Sequence, residues 1–120
     1  MKPSGTGGDA PPMEAEELEL FGGLSGVSLF RVRLRPNALH PPVCHYRTDE
    51  SAYVISGSGR GIIGGRPVKL QAGVLLSIPA NTWHQFEAGP QGLEVLALFG
   101  PRLSRESPDV HYRDPKVPIG

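Results

Sequence analysis

A single cysteine, Cys44, stands among 120 residues. An internal disulfide is therefore excluded, and the usage suits a reducing compartment. Excess charge of either sign is also missing: 12 Lys and Arg balance 12 Asp and Glu. That balance gives no electrostatic case for a nucleic-acid partner or an anionic membrane. No apolar run approaches the ~20 residues of a membrane span. The opening "MKPSGTGGDAPP" lacks the apolar middle of a secretory signal, so the expected location is the cytoplasm. Helical periodicity is missing too, since no stretch of ten or more residues repeats apolar positions at helical spacing. The glycines between 57 and 65 open no phosphate loop, because no lysine-serine pair follows them.

What the chain has in quantity is glycine, 16 residues, and proline, 13. Spread between short apolar segments, they punctuate strands. The length favours one core. Residues 1–21 read as a flexible lead in which "MEAEELELF" forms either a helical turn or an edge strand. Residues 22–100 form the regularly punctuated domain, and 101–120 a proline-rich tail expected to pack against it. "GVSLFRVRLRP" alternates strictly: Phe30, Val32 and Leu34 face one way, Arg31, Arg33 and Arg35 the other. The arginines read as a solvated strand face. "SAYVIS", "PVKL", "VLLSI", "WHQFEA" and "LEVLALF" read as further strands. "RTDE", "GSGRG" and "GPQG" read as turns, and Gly64–Gly65 as a hairpin turn. Short strands at regular spacing predict an all-β sandwich or small barrel.

Two clusters carry chemistry. One is His45-x4-Glu50-x6-Gly57; the other is Gly73-x5-Pro79-x-Asn81-x2-His84. Imidazole nitrogen and carboxylate oxygen are ligands for borderline divalent metals. Two histidines and one carboxylate with open positions suit a non-haem iron site, and three protein ligands plus water suit a catalytic zinc. Asp49, beside Glu50, reads as the solvated acid because adjacent strand residues face opposite ways.

The pair of clusters resembles the two motifs of the cupin superfamily, small single-domain members in particular. The first motif, G-x5-H-x-H-x3,4-E-x6-G, runs over Asn37, Val43, His45, Glu50 and Gly57. The second, G-x5-P-x-G-x2-H-x3-N, runs over Gly73, Pro79, Asn81, His84 and Ala88. The resemblance covers residues 26–100 and implies an antiparallel jelly-roll β-barrel of the RmlC-like kind. It also implies a divalent metal (Fe, Mn, Ni or Zn) in the barrel mouth. Asn37 and Asn81 replace motif glycines, and asparagine tolerates the same left-handed backbone. Val43 replaces the first motif histidine and removes a ligand. The implied metal set is therefore His45, Glu50 and His84.

Val43, Tyr53, Phe86 and His40 are the expected substrate-pocket residues, with His40 at the rim because two prolines follow it. Cys44 reads as a packed small hydrophobe. The leading functional reading is a metal-dependent enzyme acting on a small organic molecule by dioxygenase-like or isomerase/lyase-like chemistry. The alternative is a non-catalytic small-molecule binder with a decayed site. A third reading is metal-free acid–base catalysis with Tyr53 as the acid. The catalytic residues are not assigned. A homodimer is expected, since small cupins resemble dimers and an apolar edge strand at "SLFRV" would be a liability if bare.

Overall fold

The computed structural model describes residues 11–22 and 26–113, and the first ten positions of the lead and the end of the tail lie outside them. The described residues form eight strands and no helix. Two long strands organise everything else. β4 (Asp49–Ile63) and β7 (His84–Gly100) run antiparallel over their full length, from Asp49 opposite Gly100 to Ile63 opposite His84.

Each long strand serves two sheets. The first half of β4 pairs with β6 (Leu75–Ile78) and its second half with β5 (Arg66–Gln71). The last part of β7 pairs with β2 (Ser28–Leu34), and its start pairs with β3 (Val43–Cys44). β1 (Met13–Leu18) adds to β2, and β8 (His111–Tyr112) adds to β3. The result is two sheets sharing β4 and β7 and folded over one another, an antiparallel jelly-roll barrel.

The fold turns at the middle of the long strands. "GSGRG" and "GPQG" are not chain reversals, as the sequence suggested, but irregularities inside strands. β4 bulges between Val54 and Ser56, and β7 bulges opposite Gly57 to Gly59. At the second irregularity Ser58 alone faces residues 89–92 of β7, so the strands bend there and pairing resumes in a shifted register at Gly59 opposite Ala88. Glycine is required here on steric grounds. A Cβ on Gly57 would run into the Gly92 carbonyl, and one on Gly59 into that of Glu87. The expected hairpin is present: Gly64 and Gly65 have φ of 56° and 82° and join β4 to β5, the two left-handed residues of a tight primed turn. Asn37 and Asn81 stand at φ 61° and 66°, the backbone that the motif glycines supply elsewhere.

The sheet extends past residues 22–100 at both ends. "MEAEEL" is an edge strand, not a helical turn, with Glu14 opposite Arg33 and Glu16 opposite Arg31. β1 therefore covers "SLFRV", which is not the bare edge expected from the sequence. Arg31 and Arg33 lie 3.2 and 3.6 Å from Glu94 on the outer face. Inward residues of both sheets make the core: Leu34, Ala52, Val54, Leu70, Ile78, Phe86, Ala88, Leu93 and Val95. It fills one end of the barrel. The other end is left open as a cavity.

Candidate metal centre

Three buried side chains converge in that open end. Glu50 enters on β4, where alternation sends Glu50, Ala52 and Val54 inward and Asp49, Ser51 and Tyr53 outward. His84 opens β7, opposite Val43. His45 follows β3 directly, at the point where the chain leaves the ladder for the bend at Tyr46 and Arg47. The ligating atoms of the three residues lie within 4.8 Å of one another. His45 Nε2 and His84 Nε2 each stand 3.3 Å from Glu50 Oε1. Ligands at about 2.1 Å from one ion, at angles between octahedral and tetrahedral, are roughly 3.0–3.4 Å apart.

Hydrogen bonds behind the imidazoles fix which nitrogen faces the centre. His45 Nδ1 donates to the Asp109 carbonyl at 2.8 Å. His84 Nδ1 donates to the Thr82 carbonyl at 3.0 Å. A carbonyl cannot donate, so each Nδ1 carries a proton, and in its neutral form each ring turns an Nε2 lone pair to the centre. Glu50 Oε1 is buried and has no hydrogen-bond donor among the described residues. Three acceptors thus face one another with no donor among them, unless a proton or a cation sits between. Burial alone would push the Glu50 carboxyl up, but the imidazoles of His45 and His84 outweigh it and hold it at about 2. Burial would pull His45 down, but the Glu50 carboxylate and the Asp109 carbonyl raise it. A buried carboxylate between two imidazoles is completed by a shared proton or by a bound cation. The donor set, two nitrogens and one oxygen, fits a borderline divalent metal.

Asp109 is the support that sequence reasoning missed. Besides its carbonyl on His45, its carboxylate accepts from Tyr46 N at 2.9 Å, Arg47 N at 2.7 Å and Thr48 Oγ1 at 3.1 Å. His111 Nε2 stands 2.9 Å from the same carboxylate. These donors hold the Asp109 carboxyl well below the usual range against the opposing effect of burial. The tail that carries it is anchored by Arg102 N to the Gly26 carbonyl and by Leu103 N to Ser28 Oγ, both at 2.9 Å. Its only trace in the sequence is an Asp-x-His pair beside apolar Leu103 and Val110.

A cavity of about 420 Å³ lies over the three residues. Val43 and Phe86 line it. Tyr53 does not. It is 44% exposed on the outer face of β4, because it differs by one position in parity from Ala52 and Val54. It cannot serve as an acid inside the barrel, and the acid–base reading that relied on it is withdrawn. His40 is corrected in the other direction: it is buried within the cavity wall rather than at the rim. Its Nδ1 donates to the Pro41 carbonyl at 2.6 Å, and its Nε2 accepts from Phe86 N at 2.9 Å. Burial lowers its pKa, and both nitrogens are occupied as a latch between the 38–40 segment and β7.

Comparison with known proteins adds the family. Residues 30–99 match the family described as a cupin domain, Cupin_2. The chain belongs to the cupin family. Solved structures agree in fold. KdgF from Halomonas sp. superposes with a TM-score of 0.71 at 22% identity, over 82% of this chain and 86% of that one. A Streptomyces PAC13 variant with uridine gives 0.70 at 16% identity, over 86% and 79%. A salicylate 1,2-dioxygenase from Pseudaminobacter salicylatoxidans gives 0.65 at 17% identity, over 77% of this cupin but 27% of its own length. Comparison with curated proteins finds no match.

Proposed function

We propose that this cupin holds a divalent metal on His45, Glu50 and His84 and acts on a small organic molecule in the cavity above it. One observation carries the reading: Glu50 Oε1 is buried without a donor among the described residues, facing two imidazole nitrogens whose protons are committed elsewhere. The bound ion, Fe, Mn, Ni or Zn, would supply Lewis acidity or an activated oxygen species.

The chain's own residues set the conditions. The Asp109 and Thr82 carbonyls hold the rings in the ligating tautomer. Phe99 packs edge-on against His45 with centroids 5.0 Å apart, and Phe86 lies 6.1 Å from His84, which sets apolar surface beside both rings. Two protein nitrogens and one oxygen leave open positions for substrate and water or O2. Such a site suits dioxygenation with iron, the chemistry named for the salicylate enzyme of the same fold, or isomerase/lyase chemistry with Mn, Ni or Zn.

Elemental analysis of the purified protein, with Glu50→Gln and His45→Ala beside it, tests the assignment. About one divalent ion per chain is expected in the wild type, with retention weakened at least ~10–100-fold in either variant. A wild type without metal above trace, unchanged by His45→Ala, overturns it. A second reading, a non-catalytic binding barrel, draws on Val43, an apolar wall where the family motif has a ligand. Stabilisation by a metabolite after full chelation, without turnover, decides in its favour.

A further inference from the structure

Among the described residues, the polar side chains deep in the cavity wall are spoken for, and the one phenol that lines the cavity, Tyr112, is half exposed. His40 uses its one proton on the Pro41 carbonyl and its one lone pair on Phe86 N, so a neutral His40 has no capacity left. His45 and His84 spend their Nδ1 protons on backbone carbonyls and turn Nε2 to Glu50. Between this centre and the mouth the wall is Phe30, Val32, Val95, Ala97 and Phe99, with Met13 and Ala15 from β1. The remaining polar side chains that line it among the described residues are exposed or half-exposed, Tyr112 among them, and Glu17, Arg105 and Ser104 are engaged with one another or with their neighbours. Glu17 receives Arg105 at 2.9 Å and Arg102 at 3.7 Å. Ser104 Oγ donates to Glu106 Oε2 at 3.1 Å and accepts from Glu106 N and Ser107 N.

From this distribution we infer that the cavity takes an apolar molecule carrying one anionic oxygen head, such as a carboxylate, and excludes polyhydroxylated ligands. The head goes to the His45–Glu50–His84 centre, where a bound cation is its only complement; in this respect the inference rests on the proposed metal site. The body lies against Phe30, Val32 and Phe99. A sugar or nucleoside body of the same size would bury several hydroxyls against a wall that offers them no partner. Each buried hydroxyl left without a partner costs of the order of tenfold or more in affinity. The cavity volume, about 420 Å³, falls within the ~300–1,000 Å³ of small-molecule sites.

Two carboxylates of similar size and opposite body separate the cases. Calorimetric titration and thermal shift of the full-length protein, Zn2+-loaded and again after chelation, would use 4-phenylbutyrate and glucuronate. Phenylbutyrate is expected to bind at least about tenfold tighter than glucuronate in both states, and tighter with Zn2+ than without. Val32→Thr, which adds a hydroxyl at nearly constant volume, should narrow the gap several-fold while the folded baseline holds. Glucuronate binding as well as phenylbutyrate, or neither ligand registering at millimolar concentration, overturns the inference. Failure of the metal assignment shows separately, as no uptake of Zn2+. On chelated protein the uncharged pair 4-phenylbutanol and methyl glucoside repeats the comparison without a head that needs the cation, and the alcohol with the apolar body binding no better than the glucoside overturns the ligand class.

Discussion

Val43 stands where the motif resemblance implies a further histidine ligand. It sits opposite His84 in the β3–β7 ladder, buried, with its side chain in the cavity wall. Strand parity gives it the same aim as His45, two positions on. An imidazole there would reach toward the same centre and complete a three-histidine, one-carboxylate set. Val43→His is therefore expected to tighten metal retention by about tenfold or more in a chelator-competition assay. It should also make stability conditional. Without metal, the new imidazole is a polar group in an apolar wall and costs about 1–3 kcal/mol; with metal, the loss should be recovered. Unchanged retention, or a melting temperature indifferent to metal, would place the centre away from Val43. Cys44, one position on, is fully buried and burial pushes its thiol up, consistent with packing rather than reactivity.

At the scale of elements, the sharpest constraint is the bend shared by β4 and β7. Gly59→Ala would drive a methyl into the Glu87 carbonyl, a backbone atom that moves only if β7 moves. We expect a loss of about 2–3 kcal/mol, roughly a 10 °C drop in melting temperature. Gly26→Ala, which meets nothing within 4 Å, should leave the melting temperature unchanged. Equal behaviour of the two variants would remove the steric account. This bend also marks the limit of what the sequence shows. The alternation of "SLFRVRL", the Gly64–Gly65 hairpin and the ligand spacings are local, and each could be read directly. "GSGRG" and "GPQG" carry the composition of turns, yet β4 and β7 run through them. Glycine and proline signal a local departure from regular pairing. Whether that departure reverses the chain or bends it depends on the partner strand, which no local pattern contains. Tyr53 shows the same dependence on facing. Its aromatic character suggested a pocket, whereas strand parity relative to Glu50 puts it outside.

The whole molecule depends on a contact made over 60 residues of sequence. Asp109 gathers the Tyr46 and Arg47 amides, the Thr48 hydroxyl and the His45 ring, so the tail is part of the candidate centre and of the cavity wall, not an appendage. No spacing rule reaches across that separation, which is why this half of the site was illegible beforehand. The carboxylate's contribution has a definite sign. Its folded pKa is depressed below the unfolded value of ~3.9. The native state therefore gains from it fully above that value and loses the gain as pH falls through the carboxylate range toward the folded pKa. Asp109→Asn keeps one side-chain acceptor but no charge. It should lower stability at pH 7 by about 1–3 kcal/mol, and the gap to the wild type should close as pH is taken from 5 toward 2. Denaturant melts of both proteins across that range measure it. A gap that stays constant down to pH 2 would mean that the packing of the tail, rather than the Asp109 charge, holds the His45 turn in place.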